Sequence, residues 1–293
     1  MIRMPKFFGY VPAERQAGVK TLYECRPKAK TGEHGKGGKA SLDKFYLKAT
    51  GKKLEPRHQG STPSCVGHGT AGALDILRAV RIGGIGLKET FDYRADATSI
   101  YAGSRYEIGY KKHGSRGMLR GGGSSVPYAV ELLKDYGCLY MKNYGDGYDL
   151  SEFDQKRCNS WGQKGIPDDL ESFARERTLV GSLYIESYEE AIAALSYGFP
   201  IVFGSSQGFD GQNERDSEGF LRPRGTWHHC QYLFGYDDNS RRPYVKCHNS
   251  WGSKWLGGPL LDDDPEGSYR IEKDVIAKMI RNGEFIALTD MVM

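Results

Sequence analysis

A thiol, an imidazole and a carboxamide sit in three short strings suited to nucleophilic catalysis: QGSTPSC ends at Cys65, WHHCQYLFGYD holds His229, and HNSWG holds Asn249. A neutral thiol attacks poorly, so a catalytic cysteine must be held as thiolate; a helix start and a facing imidazolium both favour that charge. Ser64 is a suitable helix cap, and Ala73, Ile76, Leu77 and Val80 recur behind it at helical spacing. This predicts a helix over 65–82 that opens at Cys65, with Arg78 off its apolar face. A carboxamide oxygen can accept the N–H of a histidine base and so fix its tautomer. Gln59, six positions before Cys65, could aim an amide N–H at the oxyanion formed when the sulfur attacks a carbonyl. The Cys65 N–H, unpaired at the helix start, would be the second donor.

The elements that must position these groups divide along the chain. Helices are predicted over 95–107, over 125–136 with Pro127 in the first turn and Gly137 just beyond, and after Ser187, where Ser187 and Glu190 form a capping-box pattern closed by Gly198. Strands are predicted at PIVFGSS from Pro200, CQYLFGY from Cys230, YVKCHNS from Tyr244, SYRI from Ser268 and EFIALTD from Glu284. GYDDNSRRPY reads as a hairpin connection, which puts His229 and Asn249 on neighbouring antiparallel strands. The fold class is α+β, with a helical front half, a sheet-rich back half and a cleft at their seam.

Composition narrows the partners. A net charge of +4 without a basic helix asks for no nucleic acid, and no apolar run is long enough for a signal peptide or a membrane span. The expectation is an intracellular or virion-associated protein. Cys25, Cys65, Cys138, Cys158, Cys230 and Cys247 lack metal-finger spacing, so neither a metal nor another cofactor is implied, and all but Cys65 read as inert free thiols. Residues 1–53 read as an N-terminal extension ahead of a domain over 54–293, whose halves meet near 165. Within that extension Arg26 to Ala40 is rich in Lys and Gly, with little to bury; it reads as a solvated loop or as an arm held by a protein partner. GGIG at Gly83 reads as a turn, and the aspartates 262–264 as a solvated insertion.

These motifs resemble the papain-like cysteine peptidases (C1 family), above all their bacterial and phage members. The resemblance runs from about Leu54 to the end through SIYAGSRYE, GGGSSVPYAVELLKDYGCLY and YGFPIVFGSS. It implies Cys65 as nucleophile, Gln59 at the oxyanion, His229 as base and Asn249 as its orienting group, with Trp251 shielding the His–Asn bond. His229 is preferred to His228 because it precedes Gly235-Tyr236 by six residues, as the family's histidine does; His228 then faces away. Gly122 and Gly123 match glycines that pair with substrate backbone, although a glycine-rich turn reads equally well. Trp227 either lines a substrate pocket or packs in the core. The implied substrate is a polypeptide.

Departures from the family are specific. Val66 stands where better-known members carry tryptophan, Thr62 replaces a disulfide cysteine, and no cysteine accompanies Gly122 and Gly123. No helical pro-segment is read before Leu54, so another control, or an N-terminal fold-back, is required. Two other readings accompany the endopeptidase: a papain-like structural or binding component, for example of a phage particle, and peptidoglycan or transfer chemistry on a related Cys-His site. An occluded cleft at Cys65 would favour a latent or a structural role.

Overall fold

The computed structural model describes residues 9–26, 34–210, 214–261 and 264–292. Residues 27–33 of the Lys- and Gly-rich stretch, and Asp262 and Asp263 of the acidic triplet, lie outside the described residues. Thr21 and Glu24 exchange capping-box hydrogen bonds around a single helical turn, α1 (Leu22–Cys25). β1 (Lys39–Ser41) precedes α2 (Asp43–Thr50). Leu22, Leu42 and Tyr46 join the same apolar core as the central helix and the strands, so the residues flanking the basic stretch bury surface that its composition did not suggest.

The central helix α3 (Cys65–Ala79) begins where Ser64 predicts, and all of its residues are buried. Arg78, expected off the apolar face, is buried too. Its guanidinium lies 4.4 Å from the Phe91 ring centre and 4.2 Å from that of Tyr140, and it donates to the Tyr93 carbonyl. Aromatic faces and a carbonyl thus take the place of solvent. The predicted end at Ile82 falls inside a π-helical turn over Val80–Ile85. α4 (Ala97–Gly103), capped by the Asp96 carboxylate on the Ser99 N–H, likewise widens into π-helix over Ser104–Lys112. α5 (Arg116–Arg120) and α6 (Val126–Asp135) follow, the latter with Ser125 at its N-cap. α7 (Gln155–Lys164) and α8 (Glu171–Arg175) complete the front half.

The back half holds β2 (Leu179–Tyr184), α9 (Tyr188–Ser196), β3 (Ile201–Phe209), β4 (Pro223–Asp237), β5 (Tyr244–His248), β6 (Ser268–Glu272), α10 (Lys273–Asn282) and β7 (Glu284–Met291). The strands pair antiparallel in the order β2-β7-β3-β4-β5-β6, and β1 adds to β4. Ser187 caps α9 by accepting the Glu190 N–H, but the Glu190 carboxylate accepts from the backbones of Glu186 and Tyr23 instead of closing the box. All five strands read from the sequence form. β1 and β2 join them, short segments whose pairing partners lie far along the chain. α3 packs against β4, so the start of the buried helix meets the strand that carries His229.

Candidate active site

Cys65 occupies the first position of α3, fully buried. The backbones of Cys230 and Gly9 lie close enough to its sulfur to favour the charged form, against the burial that disfavours it. Cys230 directly follows His229, so the sulfur lies against the backbone that carries the imidazole.

His229 is held from three sides. Its strand register sets it opposite Ser205 of β3, while His228 is exposed on the other face. Asn249, the first residue after β5, presents Oδ1 at 2.7 Å from His229 Nε2. The same oxygen accepts the Ser250 N–H at 2.7 Å, which identifies it as the acceptor. Nε2 therefore carries the proton of the neutral ring, and Nδ1 is the basic nitrogen. Trp251 stacks on the imidazole, ring centres 4.5 Å apart and planes 29° apart.

Gln59 is tied to the same loop. Its Oε1 accepts from Ser250 Oγ at 2.7 Å, its backbone N–H donates to the Ser250 carbonyl at 2.9 Å, and its Nε2 donates to the Thr62 carbonyl at 2.9 Å. An amide nitrogen has two protons, so one donor beyond that to Thr62 remains for an oxyanion. Ser250 thus couples Gln59 to the Asn249 loop, a link that no motif spacing announced.

The chain covers this site with its own front end. Tyr10 N–H donates to the His228 carbonyl at 3.1 Å, while Ser124 N–H donates to the Gly9 carbonyl and Val11 N–H to the Ser124 carbonyl, each at 2.7 Å. The segment runs parallel to Gly123-Ser124-Ser125. Only glycine fits at position 9, because a Cβ there would fall 1.8 Å from the Pro63 carbonyl oxygen. The Tyr10 ring lies over Gly204, where a Cβ would meet it at 2.1 Å. Beyond, Glu284 accepts the Ala13 N–H at 2.6 Å.

No family model matches the chain, and no curated protein is significantly similar to it in sequence. Its three-dimensional likenesses are clear. It is similar to xylellain, a cysteine protease from Xylella fastidiosa, with TM-score 0.65 and 17% identity over 98% of this chain and 97% of that one. It is also similar to procathepsin B S9 from Trypanosoma congolense, with TM-score 0.60 and 14% identity over 95% of this chain and 85% of that one. The fold is papain-like.

Within this papain-like frame the covered site is electrically quiet. Burial pushes the Cys65 thiol up to about 12, against the opposing pull of the backbone N–H groups. Burial also pushes His229 down to about 4, against the hydrogen bond that its ring donates to Asn249. With the cleft closed the resting pair is thiol and neutral imidazole; hydration must return before thiolate and imidazolium are favoured.

The remaining sequence-derived candidates lie beside the histidine and beside the front segment. Trp227 is buried among Phe209, Trp251 and Trp255, its ring centre 4.9 Å from that of Trp251, so its contacts are those of an aromatic core beside the histidine. Gly122 and Gly123 lie on the strand edge beside the segment, but the backbone pairing is made by Ser124, one residue further on. Ser124, Ser250 and Glu284 were not singled out in the sequence. Two of them act at least partly through backbone groups, and Glu284 is one carboxylate among many until the fold brings it beneath residues 10–13.

Proposed function

We propose that this chain is a latent papain-like cysteine endopeptidase. Cys65 attacks the scissile carbonyl as thiolate, while Gln59 and the Cys65 N–H stabilise the oxyanion. His229 then gives a proton to the leaving amine as the C–N bond breaks. Water, deprotonated by His229, hydrolyses the resulting thioester and releases the acid and the free thiol. The observation that carries this reading is the His229–Asn249 hydrogen bond beneath Trp251, on the strands that meet the start of the Cys65 helix. The proteases xylellain and procathepsin B supply a fold in agreement with it.

The front segment is read as a cover, since residues 9–11 pair by backbone with both His228, next to the proposed base, and Ser124 across the site, above a fully buried Cys65. This answers the demand for a fold-back control and turns the occluded cleft into an argument for latency; the proteases among its structural neighbours do not favour a phage scaffold. The test is hydrolysis of a denatured protein substrate by full chain opened through Tyr10→Ala. Cleavage that disappears in Cys65→Ala and falls about 10²- to 10⁴-fold in His229→Ala is expected. Equal background rates in all three would refute the assignment.

A further inference from the structure

The guanidinium of Arg105 is wholly buried, yet among the described residues no ion pair includes it. A buried cation without a carboxylate is costly, and its hydrogen bonds show what that cost maintains. Nε donates to the Gly162 carbonyl at 2.8 Å, one terminal nitrogen donates to the Gly121 carbonyl at 2.8 Å, and the other donates to the Gly123 carbonyl. Its neighbours on the same helix act on the same strand. The Gly123 N–H donates to Tyr101 Oη at 3.4 Å, and the Ser104 and Ser124 hydroxyls are 2.7 Å apart, both buried. The helix widens into π geometry at Ser104, between the first and the last of these three contacts. Such widenings recur at functional sites because they re-aim side chains.

We propose that Arg105, with Tyr101 and Ser104, is the positioning group that presents residues 121–124 as the edge on which an extended peptide pairs. Gly123 takes φ +94°, a conformation that glycine tolerates, so the segment bends there instead of continuing as a regular strand. At that bend the guanidinium holds the carbonyls of Gly121 and Gly123, while that of Ser124 accepts the Val11 N–H. A run of three glycines has little conformational preference of its own, so the edge takes its shape from behind. Only a planar fork spans both carbonyls, and lysine cannot reproduce it. This inference deepens the peptidase reading, since the peptide on that edge would be substrate once the cover leaves.

The test uses the full chain with Arg105→Lys and Arg105→Met. Amide exchange at Val11 and Ser124 is expected to quicken by about tenfold, the worth of one backbone hydrogen bond, while amides paired between β3 and β4 keep their protection. Unchanged exchange at Val11 and Ser124 in Arg105→Lys would overturn the proposal, and so would loss of protection throughout the sheet in that variant. A second arm adds Arg105→Lys to Tyr10→Ala protein. Labelling of Cys65 by a tripeptidyl epoxide should slow by about tenfold, while labelling by iodoacetamide, which needs no paired edge, stays within about twofold. An equal fall with both reagents would mean a merely structural arginine. If Cys65 ignores the epoxide even in Tyr10→Ala alone while exchange still responds to Arg105, the bracket stands and the peptidase reading fails.

Discussion

Tyr10 and His228 are joined backbone to backbone, the N–H of one 3.1 Å from the carbonyl of the other, at the residue immediately before the proposed catalytic base. Removing the Tyr10 ring should therefore open the site. Tyr10→Ala, or Gly204→Leu to fill the space beneath the ring, is expected to raise the iodoacetamide rate at Cys65 by about tenfold or more. Cys138 and Cys247, buried elsewhere, should keep their rates. Mass-spectrometric mapping of the labelled peptides reads both.

Glu284 makes the cover pH-dependent. Burial beneath residues 10–13 raises its pKa from 4.5 to about 7, against the N–H groups of Ala13 and Val126 and the nearby Tyr10 phenol. Once uncovered and hydrated, the carboxylate returns toward its ordinary value, so the covered state holds the proton more tightly. Its contribution to closure is fully present below pH 4.5 and is lost as pH rises through about 7. Proteolysis of the front segment by an added protease should accelerate over that interval, and Glu284→Gln should flatten the dependence.

Asn249→Ala should lower kcat, by less than His229→Ala does, because it frees the ring to turn without removing the base. Restoring an acceptor with Asn249→Asp should recover part of the loss. Steady-state rates on one peptide substrate, measured in uncovered protein, compare the three.

The segment that carries Gln59 is anchored by a buried pair two residues earlier, at Arg57. Asp75, fully buried, accepts from Arg57 at 2.6 Å, from Arg94 at 3.1 Å and from the Ala95 N–H at 2.8 Å. Asp75→Ala leaves Arg57 buried and uncompensated, and should cost about 3–5 kcal/mol in urea unfolding. The double variant Arg57→Met with Asp75→Leu should be less destabilised than Asp75→Ala alone.

The proposed nucleophile, base and orienter stood out together because Cys65, His229 and Asn249 sit in strings of recognisable spacing on elements with plain periodicity, and the fold brings His229 onto Asn249. The five back-half strands were legible for the same reason. The cover was not, since Gly9, Tyr10 and Val11 engage the cleft chiefly through backbone groups, which leave no residue pattern. α7 escaped notice because QKRCNSWGQK buries only Cys158 and Gly162, too thin a stripe to register. Arg78 read as lying off its helix's apolar face and Arg105 drew no reading at all, because only the fold supplies the carbonyls and rings that make them interior groups.

The central claim is that Cys65 is an imidazole-activated nucleophile kept silent by residues 9–11. The most direct measurement is the site-resolved rate at which a peptidyl epoxide labels the six cysteines in full chain, in Tyr10→Ala, and in Tyr10→Ala with His229→Ala. The account requires slow labelling of Cys65 in the first, fast and selective labelling in the second, and its loss in the third. Rates at Cys65 that match those of the other buried cysteines in all three proteins would contradict it.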